Sequence, residues 1–276
     1  MRQVPAGVFA THDIDVGEHQ VVKRFRSWDR GEHQREWQAL VLLASVAPGL
    51  APAPVSCDLD SVPPSVRMSR VPGRPMAGQA ITPKLLDAAT AAMSRLHTAV
   101  PAGLLATVRP QPWLAVGAVS RMRSHVRAVH RPAAADAMVG AAFDAAAHWL
   151  GSVAEPGPGA FSPVFGQGDG NLANYLWDGQ RVRLVDFEDS GRSDRAYEVA
   201  AFAEHLSVWH DAKVEAGALL SRFELTAAEA VRVLFFRRGF AFFWLLKLLG
   251  AGEDRGSALS GQALRLLDLL DTCGTC

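Results

Sequence analysis

The sequence predicts an α+β fold in two lobes, a small β-rich N-terminal lobe followed by a larger, mostly helical C-terminal lobe. Three observations predict it. Over the first thirty residues short apolar runs alternate with turn residues, from Glu32 the apolar period becomes helical, and beyond the break Pro72-Gly73-Arg74-Pro75 helical patterns fill most of the chain. The break divides the chain into residues 1–72 and 73–276. With 276 residues, 49% of them hydrophobic, the chain has enough apolar surface to bury a sizeable core in one or two lobes.

Composition narrows the partners. The 28 basic and 28 acidic side chains cancel, so charge predicts neither nucleic acid nor an anionic membrane as a partner. Only four of the basic residues are Lys, and an Arg excess beside abundant Ala reads as a genome-composition bias. The first thirty residues lack an unbroken apolar core that could serve as a signal sequence, and Asp13, Asp15 and Glu18 argue further against one, so a cytoplasmic protein is expected. The most apolar stretch, Val231 to Leu249, is interrupted by Arg232, Arg237, Arg238 and Lys247 and reads as a buried helix, not a membrane span. Three cysteines make no disulfide framework, and Cys273 and Cys276 form a C-x-x-C without a partner pair.

In order, Gly7-Val8-Phe9-Ala10 leads into the extended segment 11–15, Gly17-Glu18 turns the chain, and Gln20 to Phe25 forms the next strand. Val21, Lys23 and Phe25 share one face of it. A lysine between apolar neighbours lies either at an exposed edge or in a cleft where an anion neutralises it. The following helix carries Glu36, Leu40 and Leu43 on one stripe, which puts Glu36 at the margin of the buried face, where spacing alone favours a solvated charge. Pro48-Gly49 ends that helix, and extended segments follow at 55–57 and 66–71. Thr82 with Pro83 starts a helix through Leu85, Ala89, Met93 and Leu96. Helical segments are expected around 113–130, 133–151 and 197–209, and Thr226 with Glu229 makes a capping box for the apolar helix after it.

The stretch Gly166 to Asn174 is followed by a short hairpin that ends at Val185-Asp186-Phe187-Glu188. An Asp178-Gly179 turn that pairs Trp177 with Gln180 would set Asp186 opposite Asn171, roughly 10 Å along the strand from Asn174. Hard oxygen ligands from an Asp and an Asn, with a second Asp free to accept a proton, suit Mg²⁺-assisted phosphoryl transfer.

Gln167-Gly168-Asp169, Asn174 and Asp186-Phe187-Glu188 resemble the His-Gly-Asp, Asn and Asp-aromatic-Glu pattern of the aminoglycoside phosphotransferase family, small-molecule kinases with the protein-kinase-like fold. The resemblance implies that Asp169 is the catalytic base, that Asn174 and Asp186 hold Mg²⁺, and that Lys23, oriented by Glu36, contacts the α- and β-phosphates of ATP or GTP. It also implies that residues 5–10, with Gly7 and Val8, form the phosphate-covering loop, and that backbone groups near Arg70 and Val71 meet the adenine edge. His97 matches a Leu-His helix end and is structural on this reading. Gln167 departs from the usual His, yet it too can donate and accept hydrogen bonds. Glu198 stands where an Asp is more usual, and the short N-terminus leaves the phosphate-covering loop one Gly fewer than such loops often carry.

The acceptor is expected to be a hydroxyl on a small molecule. Glu188, Asp189, Glu204 and Asp211 lie on segments that could reach it, and a cationic antibiotic would need such carboxylates. An aminoglycoside or other antibiotic, a metabolite such as an amino alcohol or sugar, and a nucleotide-binding protein without transfer activity are the readings left open.

Overall fold

The computed structural model describes residues 12–114, 117–128, 137–156, 161–250 and 256–272. The expected phosphate loop with Gly7 and Val8, and the pair Cys273 and Cys276, lie outside the described residues. The chain divides into two compact units, Met1–Gln111 with Val164–Ser193, and Pro112–Pro163 with Asp194–Cys276.

The first unit holds an antiparallel sheet of β1 (His12–Val16), β2 (Gln20–Phe25), β3 (Pro54–Asp58) and β4 (Ser65–Ser69), in the order β1-β2-β4-β3. Ile14, Lys23 and Val66 stand in register across three strands, so Lys23 is interior to the sheet, with neighbours on both sides. It is buried, and the edge-strand reading of this lysine is excluded. Helix α1 (Glu32–Val46) begins after Gly31, whose φ of 76° is a left-handed conformation that favours glycine. Its buried face includes Glu36, Leu40 and Leu43, so Glu36 is inside, not at a solvated margin. The buried charge is tolerated because the Lys23 ammonium meets it.

Strands β5 (Arg74–Pro75), β6 (Pro163–Gly166), β7 (Tyr175–Trp177), β8 (Val182–Leu184) and β9 (Gly191–Asp194) form two further small sheets, β5-β7-β8 and β6-β9. Helix α2 (Pro83–Ala99) starts as its sequence predicts, with Thr82 Oγ1 accepting from Leu85 N–H at 3.3 Å and Pro83 in the first turn. It packs on β8, the strand that leads to Asp186. A single turn, α3 (Ala102–Leu105), follows it.

The second unit is helical: α4 (Ala118–Ala128), α5 (Ala137–Ser152), α6 (Arg195–Glu204), α7 (Ala216–Leu220), α8 (Ala227–Leu249) and α9 (Gly256–Asp271). Its core gathers Val139, Ala142 and Ala146 of α5, Phe242 and Leu245 of α8, and Ala263 and Leu266 of α9. The capping box forms: Thr226 Oγ1 accepts from Glu229 N–H while Glu229 Oε2 accepts from Thr226 N–H, worth about 1 kcal/mol to α8. No helix among the described residues is long and apolar enough to cross a membrane. The helix expected to reach Trp209 stops at Glu204, because His205 turns extended, and a π-helical turn covers Ser207–Asp211.

Candidate active site

The site is assembled by the stretch Gly166 to Asn174 and the hairpin that follows it. Gly168 adopts φ 85°, and a Cβ there would lie 3.0 Å from the carbonyl carbon of Asp189, so only glycine lets the two segments approach this closely. Asn171 Oδ1 accepts from Ala173 N–H at 3.0 Å and caps the short 3₁₀ turn Leu172–Asn174. That turn aims Asn174 back at Asp169: Asn174 Nδ2 donates to Asp169 Oδ2 at 2.9 Å, and Asn171 N–H donates to Oδ1 at 3.0 Å. Burial, and next the charge of Asp186, push the Asp169 carboxyl up to about 7.

The hairpin register differs from the sequence expectation. Trp177 pairs with Val182 and Tyr175 with Leu184, and Val185 N–H donates to Asn174 O at 3.0 Å. The physical reason is Asp178, whose Oδ1 accepts from both Gln180 N–H and Arg181 N–H at 2.9 Å, forming a wider loop than a two-residue turn. Asp186 therefore directly follows the residue bonded to Asn174, instead of lying opposite Asn171. Its φ of 66° is unusual for a non-glycine residue, a strained conformation of the kind that costs about 1–3 kcal/mol and collects at functional sites. Gln167, at the position where the family pattern has His, supports the segment by donating from Nε2 to Val185 O at 2.5 Å.

Around Lys23 the same segment meets the sheet. Nζ lies 3.2 Å from Glu36 Oε2, 2.5 Å from Asp186 Oδ1 and 2.6 Å from Glu188 Oε2. Burial would lower the lysine, but Asp186, Glu36 and Glu188 outweigh it and hold the ammonium charged. Glu36 Oε2 also accepts from Phe187 N–H at 2.8 Å, which fixes the peptide between Asp186 and Glu188. Burial dominates at Glu36, pushing it up to about 7 against the pull of Lys23.

Two residues that sequence reasoning did not single out complete the cluster. His12 Nδ1 accepts from Arg26 N–H at 3.2 Å, which assigns the ring proton to Nε2, and Nε2 stands 2.6 Å from Glu188 Oε2, off the straight hydrogen-bond line. Burial would raise Glu188, yet the His12 ring and the Lys23 ammonium hold it down at about 2. Arg30 Nη1 donates to Asp189 Oδ1 at 3.0 Å, while its Nε reaches Glu32 at 3.0 Å. A histidine alternating with Ile14 and Val16 along a strand was the only signal for His12; Arg30 sat in a loop without a pattern.

The remaining predicted residues fall as follows. Arg70 N–H donates to His19 O at 2.8 Å, tying the segment that also contains Val71 to the β1–β2 turn. In the helical unit Glu204 is fully buried and is met by Arg237 Nε at 2.6 Å and Arg265 Nε at 2.5 Å. Asp211 is largely exposed beside His210, 2.9 Å away.

Asp169, Asn174, Asp186, Lys23 and Glu36 thus converge in one compact unit. The match to known families decides what this convergence belongs to, since residues 10–233 match the family described as phosphotransferase enzyme family, APH. The chain belongs to that family. No curated protein matches the sequence. Solved structures show the same fold within this phosphotransferase family and among choline kinases. A choline/ethanolamine kinase family protein from Mesorhizobium loti superposes with a TM-score of 0.63 at 17% identity, over 96% of this chain and 87% of that one. A thermostable mutant of aminoglycoside phosphotransferase APH(4)-Ia gives 0.65 at 16% identity, over 98% and 93%. Spectinomycin phosphotransferase APH(9)-Ia, solved with ADP and spectinomycin, gives 0.59 at 12% identity, over 97% and 88%. The chain therefore has the protein-kinase-like fold of small-molecule kinases.

Proposed function

We propose that this phosphotransferase transfers the γ-phosphoryl group of ATP to a hydroxyl of a small molecule. The observation that carries the reading is the Asp169 carboxylate, held by Asn171 and Asn174 within reach of the charge of Asp186, which pairs with Lys23. Asp169 accepts the hydroxyl proton as the hydroxyl oxygen bonds to the γ-phosphorus and the bond to the β–γ bridging oxygen breaks, releasing ADP. A base whose pKa lies near 7 suits this task, because about half of it is unprotonated at neutral pH and it is basic enough to take the proton. Lys23 binds the α- and β-phosphates, and Glu36 holds it in place. Backbone groups at Arg70 and Val71 take the adenine edge, and residues 5–10, with Gly7 and Val8, cover the phosphates.

The donor set fits a hard divalent cation: oxygens of Glu36, Asp186 and Glu188 lie within 4.8 Å of one another, and Asn174 would add an amide oxygen. Asn174 and Asp186 would hold Mg²⁺, which when bound neutralises charge on the β- and γ-phosphates. Lys23 now occupies the space between the carboxylates, so the nucleotide phosphates would draw its ammonium off Asp186. A kinase needs ATP, and the cytoplasm is the place proposed for it.

The acceptor is read as a molecule of low positive charge. Of the four carboxylates expected to meet a polycationic aminoglycoside, Glu188 is held by Lys23, Asp189 by Arg30 and Glu204 by two arginines. An uncharged antibiotic or a hydroxylated metabolite needs none of them. An ADP-release screen across aminoglycosides, neutral antibiotics, amino alcohols and sugars tests this. Release with a neutral acceptor supports it, and release with polycationic aminoglycosides alone removes the acceptor assignment. Mg²⁺-ATP binding with no release for any acceptor favours the alternative, a nucleotide-binding protein without transfer.

A further inference from the structure

The helical unit contains a pocket between α4, α5, α6 and α8 that none of the chemistry above uses. It presents an apolar surface made largely by aromatic rings, among them Trp113, Trp149, Tyr197, Phe240 and Phe243. Trp113, Trp149, Phe240 and Phe243 are only half-buried. Aromatic rings that converge on a concavity without filling it leave dispersion contacts unmade.

Gly239 sharpens this. It lies inside α8, where glycine weakens a helix relative to alanine, and it stands between the aromatics Phe235 and Phe236 on one side and Phe240, Phe242 and Phe243 on the other. Glycines are usually kept in helices because another group presses against them. A Cβ built at Gly239 meets nothing within 4 Å. Close packing therefore does not account for this glycine. What its missing side chain leaves is room in the pocket.

The rim decides the class of occupant. The Arg121 guanidinium lies 5.0 Å from the centre of the Trp113 ring, and Lys247 Nζ 5.4 Å from that of Phe243. His125 stacks on Trp113 at 5.2 Å, and Phe243 meets both rings edge-on. The Trp113 and Phe243 rings, which would attract an ammonium, are already met by cations of the protein, and among the described residues no acidic side chain lines the pocket. A cationic ligand would be repelled; an uncharged apolar group would not. The free space is about 30 Å³, enough for a small alkyl group or the edge of a ring to enter while the rest of the ligand stays outside.

We propose that this pocket is a binding site for the apolar ring or branched alkyl group of an uncharged small molecule, and that Gly239 is the residue that keeps it open. The proposal concerns binding in the helical unit and stands whether or not the chain transfers phosphate.

The test uses the full chain, with toluene as the neutral probe and tetramethylammonium as the cationic one, followed by thermal unfolding and by fluorescence of the pocket tryptophans. Toluene should bind wild type saturably and raise Tm by about 2–4 °C at saturation. Gly239→Ala should be more stable than wild type without ligand, by about 2 °C, yet bind toluene at least about 3-fold more weakly, since a methyl group occupies much of the space. Gly239→Leu should lose the saturable response altogether, while Gly217→Ala, at an exposed position of α7, should leave it unchanged. No saturable response in wild type overturns the proposal, as does an undiminished response in Gly239→Leu or tighter binding of tetramethylammonium than of toluene. Should Gly239→Leu not fold, unchanged toluene affinity in Gly239→Ala overturns it equally.

Discussion

Lys23 Nζ stands 2.5 Å from Asp186 Oδ1, an ion pair that joins the second strand of the chain to a hairpin 163 residues later. Glu36 and Glu188 close around the same ammonium. One buried cation thus balances three carboxylates, and removing it leaves them to repel one another. Lys23→Met should cost about 3–5 kcal/mol of stability in urea unfolding, the range seen when one partner of a buried ion pair is deleted. It should also lower kcat/KM for ATP by at least about 100-fold. Wild-type stability in this variant would mean that the carboxylates are not charged together.

On the proposed mechanism His12 would act through Glu188, which it approaches to 2.6 Å. Because the proton sits on Nε2, glutamine can replace the donor while phenylalanine can only replace the ring's packing on Phe25. We expect His12→Phe to lower kcat/KM for ATP about 10-fold and His12→Gln to stay within about 3-fold of wild type. Equal losses in the two variants would reduce His12 to a packing residue.

Gly168 has no room for a side chain. Its φ of 85° is costly for alanine, and the added Cβ would run into the Asp189 peptide. Gly168→Ala should destabilise by about 1–3 kcal/mol and push Asp169 off its position, with activity falling further than stability. Full activity in a folded Gly168→Ala would contradict the close approach of these two segments.

His205 gives a pH signature. Burial brings its imidazole down to about 4 from 6.5, so the unfolded chain takes up a proton first as pH falls. Its contribution is complete above pH 6.5 and is lost between 6.5 and 4, up to on the order of 2–3 kcal/mol. Asp169 and Glu36, both raised to about 7, act in the opposite sense, since protonating them relieves a buried charge. The informative quantity is therefore the difference between wild type and His205→Gln, measured by urea midpoints at pH 7 and 4.5. Wild type should lose more stability than the variant across that interval.

Much of the site was legible because its chemistry is local in sequence. Gly168-Asp169, Asn174 and Asp186 lie within twenty residues, and Thr82-Pro83 and Thr226-Glu229 announce their helices through side chains that bond their own first turn. What was not legible depended on distant partners. Glu204 looked like any helix acid, because the arginines that neutralise it come 33 and 61 residues later. Helical spacing alone made Glu36 a solvated charge, and only the family resemblance paired it with Lys23, the contact that its burial requires. The hairpin register failed for a smaller reason: Asp178 bonds two backbone amides at once, and a two-residue turn gave it no such option.

The most direct test of the account is ADP release by wild type and Asp169→Asn with Mg²⁺-ATP and an acceptor found by screening, together with the ATP Kd of each. Asparagine keeps the shape and cannot take the proton. The account predicts that turnover falls by about 10²–10⁴-fold while Kd stays within about 3-fold. Unchanged turnover in Asp169→Asn would contradict it.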